Sequence, residues 1–312
     1  MREADLIARI RKHFPRAGDD AAVVGSQVIT NDMLIEDVDF TRAIPLRFIA
    51  RKSLAVNLSD LAAMGAKPQY AIAALGIPQW VDANELIDEL AAAAIEQRIE
   101  IVGGDLSRAA HLVLSITAIG EATRPLLRSG AKSGERIYVS RPVGASMAGL
   151  MLLQKGFGID GSAPAGQTLT YAQREFAASA IRRHIDPEAE VALGLALAGI
   201  PQVTSCIDVS DGLSTDLHHL CESSHLGANI ERERIPMFPD LLPASGQLGL
   251  DAQKAVLHGG EEFALLFTSS LRESELSERV GRPVYAIGRM SSEPGVRING
   301  EPLEARGWDH FA

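Results

Sequence analysis

Cysteine, aromatic residues and concentrated positive charge are all scarce in this 312-residue sequence. The two cysteines, Cys206 and Cys221, form neither a disulfide framework nor a metal-type pair, so buried reduced thiols are the plain reading. No apolar run approaches the roughly 20 residues needed to span a bilayer, which argues against a membrane protein. Met1–Arg11 carries charges of both signs and no long apolar segment, so a signal peptide is not expected and a cytoplasmic enzyme is. Lysine and arginine total 30 against 40 acidic residues, a formal net charge of −10, and no basic stripe is present. Nucleic-acid binding is therefore not expected. Also missing are a Gly-x-x-x-x-Gly-Lys-Ser/Thr loop, the protein-kinase signature set and a Ser-His-Asp arrangement.

What is present is an ordinary globular balance, 46% hydrophobic and 22% charged, in a chain too long for one core. Two domains are expected. Helical spacing marks Ala4–Phe14, Arg47–Met64 with Gly65 as C-cap, and the Ala-rich run from Asp82 to Gln97. Strands are expected at Val23-Val24, at Val28–Thr30 ending on Asn31-Asp32, at Tyr70–Ile77 bounded by Pro68 and Pro78, at Ile99–Val102 running into Gly103-Gly104-Asp105, and at Leu112–Gly120. The polar, Gly-bearing stretch Ser129–Glu135 separates two halves of similar pattern and sets domains at 1–134 and 135–312. In the second half the strands are Arg136–Ser140, Val203–Ile207 and Phe263–Thr268. Its helices are Ala145–Gln154, Tyr171–His184, Glu188–Ala198 with Pro187 at its first turn, and Leu213–Glu222. Alternating strands and helices in both halves indicate an α/β or α+β fold.

Five acidic sites recur beside Gly, Ser or Asn: Asp19-Asp20, Asn31-Asp32, Asn57-Leu58-Ser59-Asp60, Gly104-Asp105, and Asp208 with Asp211. Each has an ordinary explanation when taken singly, because Asp caps helices and populates turns. Together they suit Mg²⁺, which takes oxygen ligands and is held by one or two carboxylates plus substrate phosphates. His258 beside Gly259-Gly260 reads as a structural or exposed residue.

The blocks Gly18-Asp19-Asp20-Ala21, Asp32–Glu36, Lys52–Ala66, Gly103-Gly104-Asp105, Arg128–Ala131, Ile207–Leu213, Gly259–Glu262 and Trp308–Phe311 stand in an order that resembles thiamine-monophosphate kinases. The likeness spans nearly the whole chain and extends, at superfamily level, to aminoimidazole-ribonucleotide synthetase. It implies a two-domain fold of that type, with N-terminal sheets joined across a homodimer. It also implies ATP-dependent, Mg²⁺-assisted phosphoryl transfer to thiamine monophosphate. Carried over by position, Asp20, Asp32, Asp60, Asp105, Asp208 and Asp211 resemble metal ligands, and Thr30 and Asn31 add further metal contacts. Arg128, Ser210 and the Gly104–Asp105 backbone resemble nucleotide contacts, and Asp208, Asp211 and Arg128 the catalytic set. Glu261 and Trp308 match positions that meet the thiamine moiety.

Four positions depart from the family pattern. Asn31 stands for a usual Thr, Asp37 for a Gly, Asp39 for a His that meets substrate, and Gln97 for a nucleotide-contacting Tyr. A carboxylate about 4 Å from a substrate phosphate would repel it by roughly 4 kcal/mol at an effective dielectric of about 20. The Asp37 and Asp39 changes thus keep open a related ATP-dependent enzyme with another acceptor, and a nucleotide-binding regulator without catalysis stands as a third reading.

Overall fold

The computed structural model describes residues 3–14 and 17–311. A first helix, α1 (Glu3–His13), leads into a five-stranded sheet. Its strands are β1 (Ala22–Val24), β2 (Gln27–Ile35), β3 (Lys67–Ile77), β4 (Glu100–Arg108) and β5 (Val113–Glu121), ordered β1-β2-β5-β3-β4. All neighbours are antiparallel except β3 and β4, which are parallel. Joining parallel strands requires a crossover, and helix α3 (Ala83–Gln97) supplies it. The Asp82 side chain caps that helix by accepting from Asn84 N–H at 2.9 Å.

The second sheet contains β6 (Arg136–Val139), β7 (Val203–Asp208), β8 (Gly227–Ile230), β9 (Leu265–Ser269), β10 (Tyr285–Ser291), β11 (Gly295–Ile298) and β12 (Glu301–Pro302). Their order is β12-β11-β8-β10-β6-β9-β7. Helices α4 (Ala145–Gln154), α5 (Tyr171–Ile185) and α7 (Leu213–Ser224) contribute Ala148, Leu152, Ile181 and Leu217 to a core with Ile137, Val139 and Ile207 of this sheet.

Between the two halves lies α2 (Leu46–Ala63). Ile49, Leu54, Leu58 and Leu61 pack on the first sheet, while Ala62 and Ala63 join a core with Leu193 and Leu197 of α6 (Val191–Ala198). A helix covered on both sides should be uniformly apolar. This one nevertheless buries Lys52, Ser53, Asn57 and Ser59; the Ser53 hydroxyl bonds back to Ala50 O, and the other three side chains serve the site described below.

The structure corrects several boundaries. Strand β2 continues through Asn31-Asp32 to Ile35, so that pair is mid-strand and not in a turn. Gly103-Gly104-Asp105 likewise belongs to β4. Strand β3 starts at Lys67, before Pro68, and a register irregularity between Pro68 and Tyr70 accommodates the missing N–H. Helix α6 starts at Val191, leaving Pro187 outside it. Among the described residues, no helix is long and apolar enough to cross a membrane.

Candidate active site

Four segments far apart in sequence converge where α2 meets both sheets. Asp20 sits in the turn before β1, Asp60 in the last turn of α2, and Asp208 at the end of β7. Carboxylate oxygens of these three residues lie within 4.8 Å of one another. Thr30 and Asp32 reach the same region because alternate residues of β2 share one face.

Neutral donors and one cation hold the acids together. Thr30 Oγ1 donates to Asp60 Oδ2 at 2.5 Å, and Ser59 Oγ donates to Asp208 Oδ2 at 2.5 Å. Arg128 donates through Nη2 and Nε to Asp20 Oδ1, at 2.6 and 3.0 Å. Asn57 Oδ1 accepts from the backbone N–H of Asp32 at 3.0 Å, tying β2 to α2. These contacts do not compensate the charge. Burial, then repulsion from neighbouring carboxylates, pushes Asp60 and Asp208 well above the usual carboxylate range. Asp20 is raised by burial despite Arg128, and Asp32 is raised to about 6 by burial and by Asp39.

Asp20 Oδ2 is buried with no hydrogen-bond partner. An orphaned carboxylate oxygen beside two further carboxylates is a donor set for a hard, oxygen-seeking cation, so these residues fit Mg²⁺.

The acids open onto a cavity of roughly 610 Å³, which Ser210, Asp211 and Arg128 also line. Glu261, His184, Asp39 and Trp308 line it as well. Lys52 Nζ lies 2.5 Å from Glu261 Oε1, and His184 Nδ1 lies 3.1 Å from Glu261 Oε2. Burial alone would raise the Glu261 pKa, but Lys52 and His184 outweigh it and hold this carboxyl at about 2. Burial and then Lys52 lower the His184 pKa, which favours the neutral ring. Trp308 is half exposed at the rim, its ring edge-on to His310 with centroids 5.6 Å apart.

Some expected site residues are placed elsewhere. Asp105 pairs in register with Ala74, which faces Ser115 and through it Met33, whereas Asp32 and the buried Ala73 both face Ile116. Asp105 therefore lies on the opposite face of the sheet from Asp32, and neither it nor Gly104 lines the cavity of its own protomer. Asn31 borders the cavity, but its amide donates to Ile116 O and Thr117 Oγ1 of β5, at 3.0 and 2.9 Å. Gln97 is also outside, donating to Arg51 O at 2.9 Å.

Asp37 adopts φ 68, a left-handed backbone that Gly takes freely and Asp tolerates, and its exposed side chain lies 3.7 Å from His111 Nδ1. It adds no charge to the cavity, so the expected pair of extra acids reduces to Asp39. Asp39 does line the cavity, with Oδ2 accepting from Ile35 N–H at 2.7 Å. Burial raises its pKa, and Glu261 adds to the effect.

No role was read for Lys52 or His184, and Asn57 and Ser59 entered only as neighbours of Asp60. Asn57 and Ser59 had a detectable signal, as polar residues interrupting the apolar run 54–63, whereas Lys52 stands between Arg51 and Ser53 in a polar stretch. His184 had none, since it looks like any residue in the basic last turn of α5. His258, read from the sequence as structural or exposed, lines the same cavity, with Nδ1 2.8 Å from Ser214 Oγ.

Comparison with known proteins agrees with this geometry. Residues 18–122 match the AIR synthase related protein, N-terminal domain, and residues 132–301 match its C-terminal domain. The two sheets and the acidic cleft between them are thus those of an AIR synthase-related protein. The thiamine-monophosphate kinase of Escherichia coli strain K12 is 35% identical over 312 residues, covering 95% of this chain and 91% of that protein. The Pyrococcus abyssi enzyme of the same name is 32% identical over 327 residues, covering 100% and 96%. The structure of AaThiL complexed with AMPPCP and TMP superposes with a TM-score of 0.87 at 29% identity, covering 99% of this chain and 97% of that one. The chain belongs to the thiamine-monophosphate kinase family.

Proposed function

We propose that this protein transfers the γ-phosphoryl group of ATP to the phosphate of thiamine monophosphate, forming thiamine diphosphate and ADP. One observation carries the reading: a single cavity joins an acidic cluster with an orphaned carboxylate oxygen to a pre-ionised Glu261 and an aromatic rim. Asp20, Asp60 and Asp208 would hold Mg²⁺, with Asp32, Thr30 and Asp211 beside them. Bound there, the metal supplies charge neutralisation for the polyphosphate.

The remaining chemistry falls to the chain itself. Arg128 stays cationic because Asp20 pins it, so it presents fixed positive charge to a transferring phosphoryl group. The acceptor phosphate has a second pKa near about 6 and is largely a dianion at neutral pH, so it needs no general base. His184 fits that economy: its Nδ1 is engaged by Ser146 and Glu261 instead of facing a reacting oxygen. Glu261, ionised across the working pH range, faces the thiazolium cation, and Trp308 offers a stacking surface. Catalysis then rests on in-line positioning and charge compensation. Incubation with ATP, Mg²⁺ and thiamine monophosphate should yield thiamine diphosphate and ADP; no product at high enzyme concentration overturns the assignment.

We also propose a cytoplasmic homodimer joined through the N-terminal sheets. Strand β4 is an edge strand, and Tyr70, Ile72, Val102 and Leu106 are exposed on it and its neighbour β3. Gly104 and Asp105 would then reach nucleotide or metal only across that interface. A monomer by light scattering overturns this part.

A further inference from the structure

The loop Asp208–Gly212 serves the site twice. Side chains of Asp208, Ser210 and Asp211 face the cavity, while two consecutive backbone carbonyls point to the residues expected to contact the acceptor. Glu261 N–H donates to Ser210 O at 2.7 Å, and Trp308 N–H donates to Asp211 O at 3.0 Å. Each donor follows a glycine packed against the same carbonyl. A Cβ on Gly260 would lie 2.6 Å from Ser210 O, and one on Gly307 would lie 2.2 Å from Asp211 O. Gly307 N–H also donates to Thr215 Oγ1 at 2.9 Å. Beyond β12 the tail belongs to no further strand or helix among the described residues, and these bonds, with Arg306 N–H donating to Ser214 Oγ at 3.5 Å and the Trp308–His310 ring contact, hold it in place.

We propose that Gly260, Gly307 and Thr215 are positioning residues that suspend Glu261 and Trp308 from the backbone of the metal-facing loop and thereby set recognition of the acceptor. This rests on the kinase reading above. Both glycines line the cavity beside the residues they position. Each allows the carbonyl approach that aims the following side chain into the cavity, and any larger residue must push the loop or the tail aside. Thr215 adds a third anchor on the first turn of α7, so the tail is registered to the loop and to the helix that follows it.

The test uses the full chain carrying Trp80→Phe, which leaves Trp308 as the single tryptophan and removes a residue outside the cavity. Into this parent are placed Gly307→Ala, Thr215→Val and Thr215→Ser. The valine variant should raise KM for thiamine monophosphate by about tenfold, with kcat and KM for ATP changed by less than about twofold. Gly307→Ala should do the same or more, and Thr215→Ser should restore the parent value. In the ligand-free proteins, Trp308 emission should shift in the first two variants and not in the third. Unchanged acceptor KM in Thr215→Val, or equal rises for both substrates, overturns the proposal. Should Gly307→Ala fail to fold, Thr215→Val decides alone. Should the parent show no activity on thiamine monophosphate, the kinase reading fails, and ligand-free emission decides the positioning claim: parent-like spectra in both variants overturn it.

Discussion

Lys52 Nζ, on the central helix of the first half, lies 2.5 Å from Glu261 Oε1, on a loop of the second half. Lys52 is almost fully buried, and Glu261 retains a face toward the cavity. Lys52→Met leaves that carboxylate without its main counter-charge and should cost about 3 kcal/mol in urea unfolding at pH 7. Glu261 has a depressed pKa, so its contribution is present above about pH 4.5 and is lost as pH falls toward about 2. In the variant that acid-side loss should shrink, because the folded pKa moves back toward the unfolded one. Lys52→Arg, which keeps the charge, should recover part of the stability.

Asp208 shows the opposite balance. Its carboxylate is buried beside Asp20 and Asp60, so without metal the native state holds like charges together. Asp208→Asn should raise the melting temperature of the metal-free protein, by about 1–2 kcal/mol in stability terms. Turnover should fall by about a hundredfold or more, and the rise in melting temperature on adding Mg²⁺ should disappear. Calorimetry with EDTA and with Mg²⁺ checks both halves.

Glu262 offers a pH test away from the acidic cluster. Burial raises its pKa to about 7, although Ser146 N–H and Gly144 N–H both donate to Oε1 at 2.9 and 3.0 Å. The folded state therefore holds this proton more tightly than the unfolded chain does. The resulting stability is fully present below about pH 4.5 and is lost as pH rises through about 7. Glu262→Gln keeps an acceptor for both amides and carries no charge. It should match the wild type in acid and exceed it by about 3 kcal/mol at pH 8, as read from denaturation at a series of pH values.

Asp39 sits between Asp32 on the metal side and Glu261 on the acceptor side, and it raises the pKa of Asp32. Asp39→Asn preserves an oxygen for Ile35 N–H and removes the repulsion. It should lower KM for thiamine monophosphate by about fivefold, with little change in stability. Asp39→His loses the turn contact and should cost about 1 kcal/mol. Steady-state kinetics and thermal unfolding of the two variants separate charge from turn geometry.

Much of the site was legible because its acids sit in contiguous blocks. Asp208–Gly212 and Asn57–Asp60 carry their chemistry in adjacent residues, and the alternation of strands and helices around them follows from local periodicity. Harder to read were residues whose role depends on a distant partner. Lys52 and His184 meet Glu261 only after the two halves close, and nothing local marks His184 as facing a cavity.

By itself, then, the sequence determined the two-part α/β organisation, the acidic blocks and their order, and through that order the family. Tertiary structure decided which acids meet. Strand register turned Asp105 away from Asp32, because side chains alternate across a sheet and the pairing of β3, β4 and β5 assigns each residue its face. A left-handed turn sent Asp37 outward and left Asp39 at the cavity. Long-range closure of α2 between the two sheets placed a buried lysine against Glu261, a contact created by chain path and not by sequence neighbourhood.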